Sequence, residues 1–218
     1  MASTIQVDKI TDIGGNTIVE SNGSGVATTR IPTTYLGSGT ASSSTFLRGD
    51  QTYATPVAGV GKLGQIVQTV KTDTFTSTSG SLTDITGMSA AITPTATSSK
   101  VLVTVVINIG LTATDRYAVL QLIRGSTAIA LGDASGSRTR GSAAHVRLDA
   151  TGTANEILTK SITFLDSPST TSATTYKMQG LVQTAGSPSF TINRSGDDAN
   201  AAYGFRVPSS ITLMEILV

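Results

Sequence analysis

Apolar and polar residues alternate with a period of two along most of the chain after residue 62, most clearly from Lys100 to Gly110. In this run the odd row, Val101 through Ile109, is wholly apolar, whereas the even row mixes Leu102 and Val106 with polar residues. Alternate side chains of a strand point to opposite faces of its sheet, and Val and Ile pack well on a pleated surface. The pattern predicts a central strand whose odd row lies in the core. The even row is too apolar for open solvent, so we expect Leu102 and Val106 at a contact between subunits.

Short strand patterns of this kind recur through residues 63–218, separated by turn residues, as is typical of an antiparallel sandwich. A run of about 155 such residues without interleaved helices predicts a jelly-roll-like β-sandwich. Arg124-Gly125-Ser126 predicts a tight hairpin, and the last strand is expected to be central in its sheet. The predicted strands are residues 65–71, 72–78, 83–93, 100–110, 117–124, 127–131, 143–148, 157–165, 174–183, 189–193, 201–206 and 211–217.

The first 62 residues have a different texture, because their apolar residues are too sparse to build a core. Gly14-Gly15-Asn16 predicts a turn between two short strands, residues 6–13 and 17–20. Gly- and Ser-rich stretches, together with Pro32 and Pro56, discourage helix. The sequence therefore predicts an all-β chain with an extended N-terminal arm over residues 1–62 and a sandwich head over residues 63–218.

A second turn in the arm, over residues 48–51, follows Phe46 and Leu47 and precedes Tyr53. We expect these three side chains either to meet across a small hairpin or to pack against a neighbouring chain. The surrounding stretch, residues 39–56, resembles a segment common in bacteriophage tail-fibre proteins. In that segment Gly-Thr-Ala-Ser is followed by Thr-Phe-Leu-Arg-Gly-Asp, and then typically by Gly, a small polar residue and Trp. This chain departs from the pattern at Gln51 and Tyr53.

The opening Ser3-Thr4-Ile5-Gln6-Val7-Asp8-Lys9-Ile10 likewise resembles the start of fibre-like structural proteins of phages, especially those of cyanobacteria. The resemblance implies a virion component that is assembled in the host cytoplasm and displayed on the tail or the capsid surface. The low charge count, the Gly- and Ser-rich arm and the β head predict a homotrimeric fibre, because three arms can bury their thin apolar rows against each other. The expected virion-attachment residues are Ile5, Val7, Ile10 and Ile13. The expected trimer-interface residues are Phe46, Leu47, Tyr53, Leu102 and Val106.

Two functions fit these expectations. In the first, the chain is a trimeric tail fibre whose arm binds a tail adaptor or hub and whose head contacts the host surface, with glycan as the expected receptor. In the second, it is a capsid decoration protein whose arm binds neighbouring capsomers. For the first function, loop composition suggests receptor contacts in residues 132–140, 167–172 and 195–200. The receptor residues expected from these loops are Arg138, Arg140, Asp197 and Asp198.

Composition narrows the classes of partner. Charged residues make up 13% of the chain and the formal net charge is +1, whereas globular domains usually contain about 25% charged residues. A chain without a basic field is not expected to bind nucleic acid or an anionic membrane. The absence of Cys excludes thiolate metal sites and disulfides, and we expect no cofactor.

Several motifs suggest chemistry that their context does not favour. Residues 59–64 spell Gly-x-Gly-x-x-Gly, but no helix pattern follows to hold a pyrophosphate, so a flexible junction is the better interpretation. Arg48-Gly49-Asp50 is expected to be a turn. Asp197-Asp198 lacks the alternating ligand spacing of a calcium loop and is expected to be solvated. The single histidine, His145, has no positioned partner for general base catalysis, so we expect it at a surface or interface and expect the chain not to be an enzyme.

Overall fold

The computed structural model describes residues 9–11, 13–15, 17–20, 36–55, 62–148, 154–183 and 188–218. The chain divides into two compact units, Met1–Ala58 and Gly59–Val218. Among the described residues there is no helix that is both long and apolar enough to cross a membrane.

The N-terminal unit contains two small antiparallel hairpins. The first pairs β1 (Lys9–Thr11) with β2 (Thr17–Glu20) across a turn in which Gly15 has a φ of 81°. The second pairs β3 (Phe46–Leu47) with β4 (Tyr53–Ala54). Both predicted turns are therefore confirmed. The first strand of this hairpin, Lys9–Thr11, lies within the predicted run 6–13, whose residues 6–8 and 12 are outside the described residues, and the second strand matches the predicted residues 17–20.

The second unit, the head, is all-β and antiparallel. Its strands are β5 (Lys62–Lys71), β6 (Phe75–Ser77), β7 (Thr83–Ile92), β8 (Lys100–Leu111), β9 (Arg116–Arg124), β10 (Thr127–Ile129), β11 (Ala143–Arg147), β12 (Leu158–Asp166), β13 (Thr174–Val182), β14 (Phe190–Ile192) and β15 (Ser209–Leu217).

These strands form two sheets. The first has the order β5-β15-β8-β12, and β6 and β14 extend it beyond β5 and β15. The second has the order β7-β13-β9. On the other edge of β9, β10 and β11 lie end to end and pair with successive parts of that strand. The last strand, β15, lies between β5 and β8, so its predicted central position is confirmed.

The strand order follows a simple rule. If β5 with β6, β10 with β11, and β14 with β15 each count as one position, the head has eight positions along the chain. The first sheet then reads one, eight, three, six, and the second reads two, seven, four, five. Position one pairs with eight, two with seven, three with six and four with five. This is the order produced when a single long hairpin of chain is rolled into two layers.

The core lies between the two sheets. The odd row of β8, from Val101 to Ile109, is completely buried, as predicted. Ala118, Leu120 and Leu122 of β9 contribute to the same core from the second sheet. Burying five side chains such as those of the β8 row contributes roughly 7–15 kcal/mol, an upper bound because denatured chains are already partly collapsed.

One predicted strand is wrong. Residues 201–206 form no strand, and they belong to the loop that joins β14 to β15. The Gly204 N–H donates a hydrogen bond to the Ala201 carbonyl at 2.8 Å, which turns the chain back on itself. The apolar residues of this stretch are therefore exposed, as Tyr203 and Phe205 are.

Candidate interaction surface

The outer face of the first sheet carries cross-strand rows of apolar residues, fixed by the register of its strands. One row runs Ile66, Met214, Leu102 and Leu165 across all four strands. A β-bulge after Met214 places Leu63 opposite Ile216 and extends this apolar area towards the end of the sheet. A row of polar residues separates this apolar area from a further cross-strand row, which contains Val70 and Val106. We call this surface the open face, and its residues are Leu63, Ile66, Gln68, Val70, Lys100, Leu102, Thr104, Val106, Thr159, Ser161, Thr163, Leu165, Ser210, Thr212, Met214 and Ile216.

Half of the open-face residues are apolar, and the face is almost without charge. Leu63, Ile66, Val70 and Leu165 are between 49% and 54% exposed. Lys100 is the only charged residue among the open-face residues named above, and it lies at one corner. Cores of protein interfaces are depleted in charged residues in the same way. Leu102 and Val106, the predicted interface residues of the head, both lie on this face and are partly buried.

The outer face of the second sheet is different, because the chain covers it. Val119, Gln121 and Ile123 point away from the core and are nevertheless buried. The loop between β10 and β11 lies over them. Gln121 Nε2 donates to the Arg140 carbonyl at 2.7 Å, and a Cβ on Gly141 would lie 2.6 Å from Val119 Cγ1. Within the described residues, no comparable segment of the head covers the open face.

The open face ends at a polar junction around Asn108. Asn108 Nδ2 donates to the Pro208 carbonyl at 2.7 Å, and Asn108 Oδ1 accepts from the Thr159 hydroxyl at 2.6 Å. The Ser209 hydroxyl accepts from the Asn108 N–H at 2.9 Å and donates to Asn193 Oδ1 at 2.5 Å. Asn108 is buried and its side chain is occupied within the chain. The apolar part of the open face therefore ends at Val106.

A buried carboxylate fixes the opposite end of the sheet. Glu215 points inward and accepts hydrogen bonds from the Thr95 N–H at 2.6 Å, the Thr95 hydroxyl at 2.7 Å and Gln65 Nε2 at 3.0 Å. Burial opposes ionisation of this carboxyl, but the hydrogen bonds from Gln65 and Thr95 outweigh it and lower its pKa to about 2. The ionised Glu215 thus attaches the loop after β7 to β5 and β15.

A second buried carboxylate joins the two sheets at the same end. Asp166 of β12 accepts two hydrogen bonds from Arg124 Nη1, at 2.9 and 3.0 Å. It also accepts one from the Tyr176 hydroxyl at 2.6 Å. Burial, and then the hydrogen bond to Asp166, raise the pKa of Tyr176 far above its usual value. The predicted strand 211–217 contains Glu215 and the predicted strand 157–165 ends one residue before Asp166, but sequence reasoning missed both roles. A lone acid within or directly after an apolar strand pattern is the signal that could have found them.

The arm residues expected to form interfaces are partly placed. Leu47 lies opposite Tyr53 and Phe46 opposite Ala54 in the second hairpin. Phe46 and Leu47 are 48% and 42% exposed, so this hairpin also presents apolar side chains to solvent. Of the predicted attachment residues, Ile5 and Val7 lie outside the described residues. Ile10 lies in β1, and Ile13 is fully exposed in the turn after it.

The turn of the second hairpin explains one feature of the tail-fibre resemblance. Gln51 has a φ of 60°, in the left-handed region that favours glycine. This is the position at which the segment in tail-fibre proteins typically has Gly. The turn is held by hydrogen bonds from the Gln51 N–H to the Arg48 carbonyl at 2.9 Å and from the Thr52 hydroxyl to Asp50 Oδ1 at 2.6 Å.

The predicted receptor residues do not meet at one place. Arg138 and Arg140 are exposed in the loop over the second sheet, where their guanidinium groups donate to Ser135 and to the Gly132 carbonyl. Asp198 is held by Arg206 at 2.5 Å and by Arg194 at 3.7 Å, whereas the carboxylate of Asp197 is exposed.

The loops expected to contact a receptor lie in different parts of the head. Residues 167–172 follow the end of β12 that pairs with the start of β8. Residues 195–200 follow β14, which pairs with the opposite end of β8. Residues 132–140 lie over the second sheet. A receptor that binds one of these two ends of the sandwich would not contact the loop at the other.

His145 is not at a surface, and that expectation is wrong. Its side chain is 1% exposed and points between the sheets, because its partner across the ladder, Ala118, belongs to the core row of β9. Among the described residues no group of three His, Asp or Glu side chains is arranged to hold a metal ion.

Comparisons with known proteins give a limited result. No family model and no curated protein matches this chain. Among solved structures, a chain from the infectious bursal disease virus Gt strain aligns with 77% of this chain at 14% identity and a TM-score of 0.38. A chain from the Gx strain of that virus does so at 14% identity and a TM-score of 0.36. The alignments cover 41% and 40% of those chains. Likenesses this weak carry no argument about function.

Proposed function

We propose that this chain is a structural protein of a bacteriophage virion, a homotrimeric tail fibre. Its arm attaches to the particle and its head projects towards the host surface. The observation that carries the proposal is the open face: a nearly uncharged sheet surface, half of whose residues are apolar, in a chain whose arm resembles tail-fibre sequences.

The strand order supports a jelly roll for the head. Jelly rolls have eight antiparallel strands in two sheets, are built from two Greek keys, and are common in viral structural domains. The order one, eight, three, six over two, seven, four, five agrees with a rolled double layer. Jelly rolls also occur in lectins and cupins, so the fold by itself leaves the function open.

The dimensions of the open face fit a contact between subunits. Four strands spaced about 4.8 Å apart and roughly nine residues long, at about 3.3 Å per residue, give a flat area of about 570 Å². The accessible area is larger because side chains project from the sheet. Stable protein interfaces bury about 800 Å² per partner, so the open face supplies a large part of the area that such a contact needs.

The experiment that tests the trimer is sedimentation of the full chain at micromolar concentration. We expect a single species of three times the chain mass that persists on dilution. A folded monomer under these conditions would overturn the trimer. Copy number per virion then separates the two functions, because a small multiple of three or six fits a tail fibre and hundreds of copies fit a capsid decoration protein.

A further inference from the structure

The only histidine of the chain is buried, and no described residue forms a hydrogen bond with its ring. His145 lies in β11, at the edge of the second sheet, with its side chain between the sheets. Among the residues that the structure describes, neither Nδ1 nor Nε2 has a hydrogen-bond partner. A neutral imidazole has one N–H donor and one acceptor nitrogen, and buried polar groups are nearly always paired. His145 is therefore tolerated at a cost in stability.

The orientation of β11 is the opposite of the one that its apolar residues predict. Val146 and Leu148 are 50% and 75% exposed, whereas His145 and Arg147 are buried. Pairing with β9 enforces this orientation, because Ala118 opposite His145 faces the core. The chain thus places two basic side chains, rather than two apolar ones, at the edge where the two sheets meet.

The charged groups around His145 come from each neighbouring element. Arg147 follows on the same strand and donates to the Leu111 carbonyl at 3.3 Å, and Arg116 lies opposite it on β9. Glu156 precedes β12, and Lys160 lies in it. Burial is the main cause that lowers the pKa of His145; Lys160 and Arg147 lower it further, and Glu156 opposes them. The adjacent part of β8 contributes the apolar residues Ile107 and Ile109.

We propose that His145 makes the head acid-labile, because protonation of its imidazole opens the edge formed by β11 and β12. A neutral ring fits between the sheets. A charged ring must either remain buried between the sheets beside Arg147 and Lys160 or move outward, and moving outward separates β11 from the core.

The direction of the pH effect follows from linkage. In the unfolded chain His145 titrates near pH 6.5, whereas in the folded head it resists protonation to lower pH. As pH falls below 6.5 the unfolded or opened state binds the proton and the folded state does not, so stability is lost. The equilibrium constant for opening rises by at most about tenfold per pH unit, and the rise stops below the folded pKa. Above pH 7.5 the effect is absent.

The test compares the full chain with His145→Leu between pH 8 and pH 5, by urea unfolding and by amide hydrogen exchange corrected for the intrinsic pH effect. We expect the wild type to exchange the amides of β11 up to tenfold faster per pH unit below 6.5, while those of β8 change less. His145→Leu should lose this acid response and be more stable at pH 8.

A second variant keeps the test decisive if His145→Leu does not fold. His145→Gln is polar, similar in size and cannot become charged in this range, so it should also lack the acid response. Equal pH dependence of the wild type and the variant that folds would overturn the proposal. So would acid-induced exchange that is uniform over both sheets and unchanged by substitution. Neither result depends on the proposed virion function.

Discussion

Two adjacent residues of β8 offer the sharpest test of which side of the first sheet meets a partner. Val105 is completely buried between the sheets, and Val106 is partly buried on the open face, where it lies between Ser161 and Ser210. Introducing Asp at each position adds the same charge to the same strand, one residue apart. Only the face differs.

The expected magnitudes differ widely. At Val105 a carboxylate would lie in the core without a partner, at a cost of several kcal/mol beyond the roughly 1.5–3 kcal/mol lost with the valine. Since domains are stable by only about 5–15 kcal/mol, Val105→Asp should prevent folding. At Val106 a free head can hydrate the carboxylate, so the cost to folding should be about 1 kcal/mol. In the trimer the same carboxylate loses water, and about 4 kcal/mol weakens association roughly a thousandfold.

The assay is sedimentation velocity with circular dichroism on the same micromolar samples. We expect Val106→Asp to give folded monomers and Val105→Asp to give unfolded or aggregated chain. Thr175→Asp is the matched charge control, because Thr175 is an exposed residue of β13 in the second sheet and should stay trimeric. If Val106→Asp remains a trimer, or if the two valine variants behave alike, β8 is buried on both sides within one head and the assignment of the open face is wrong.

Three further outcomes are expected. Gln51→Gly should stabilise the arm hairpin by about 1 kcal/mol, because glycine adopts the left-handed φ of 60° at this position without strain. The backbone amide of residue 51 should then exchange about fivefold more slowly. Glu215→Gln should lower the free energy of unfolding by about 2–3 kcal/mol, because charge-assisted hydrogen bonds are lost. In urea unfolding of the wild type, the contribution of ionised Glu215 to the free energy of unfolding should be lost as pH falls from 4.5 towards 2. Wild-type stability should also decline above pH 10, where the unfolded chain ionises Tyr176 and the folded head does not, and Tyr176→Phe should reduce that decline.

Each of these has a result that contradicts it. Gln51→Ala keeps a side chain at the strained position, so equal gains from Ala and Gly would show that backbone strain is not the cause. Unchanged acid unfolding in Glu215→Gln would mean that this carboxylate does not hold the loop after β7. If Tyr176→Phe loses as much stability above pH 10 as the wild type does, ionisation of the Tyr176 hydroxyl is not the cause of the decline.

Local pattern predicted the strands well where packing follows it. The β8 row is the clearest case, because a fully apolar alternate row can only be stable inside a core. The turns at Gly15 and Gly125 were also predictable, because each glycine lies between two strand patterns, and both glycines have the positive φ that favours this residue. At these positions the local sequence pattern and the tertiary packing favour the same backbone conformation.

Where tertiary pairing decides, the sequence could not show the outcome. His145 was expected at a surface, but pairing of β11 with β9 turns it inward and leaves Val146 outside. Residues 201–206 have the β-like residues of a strand, yet Gly204 and the Asp198–Arg206 ion pair close them into a loop. The order of the strands depends on contacts between residues more than a hundred positions apart, which no local pattern contains.

Cryo-electron microscopy of the intact particle, with this chain located in the density, would decide whether the open face is a contact between subunits of a tail fibre. We expect three copies around one axis in a tail appendage, with their open faces in contact with one another and the arms on the virion. Hundreds of copies spread over the capsid would favour the decoration role. Open faces exposed to solvent in the assembled particle, or a particle without this chain, would show that the proposed fibre is wrong.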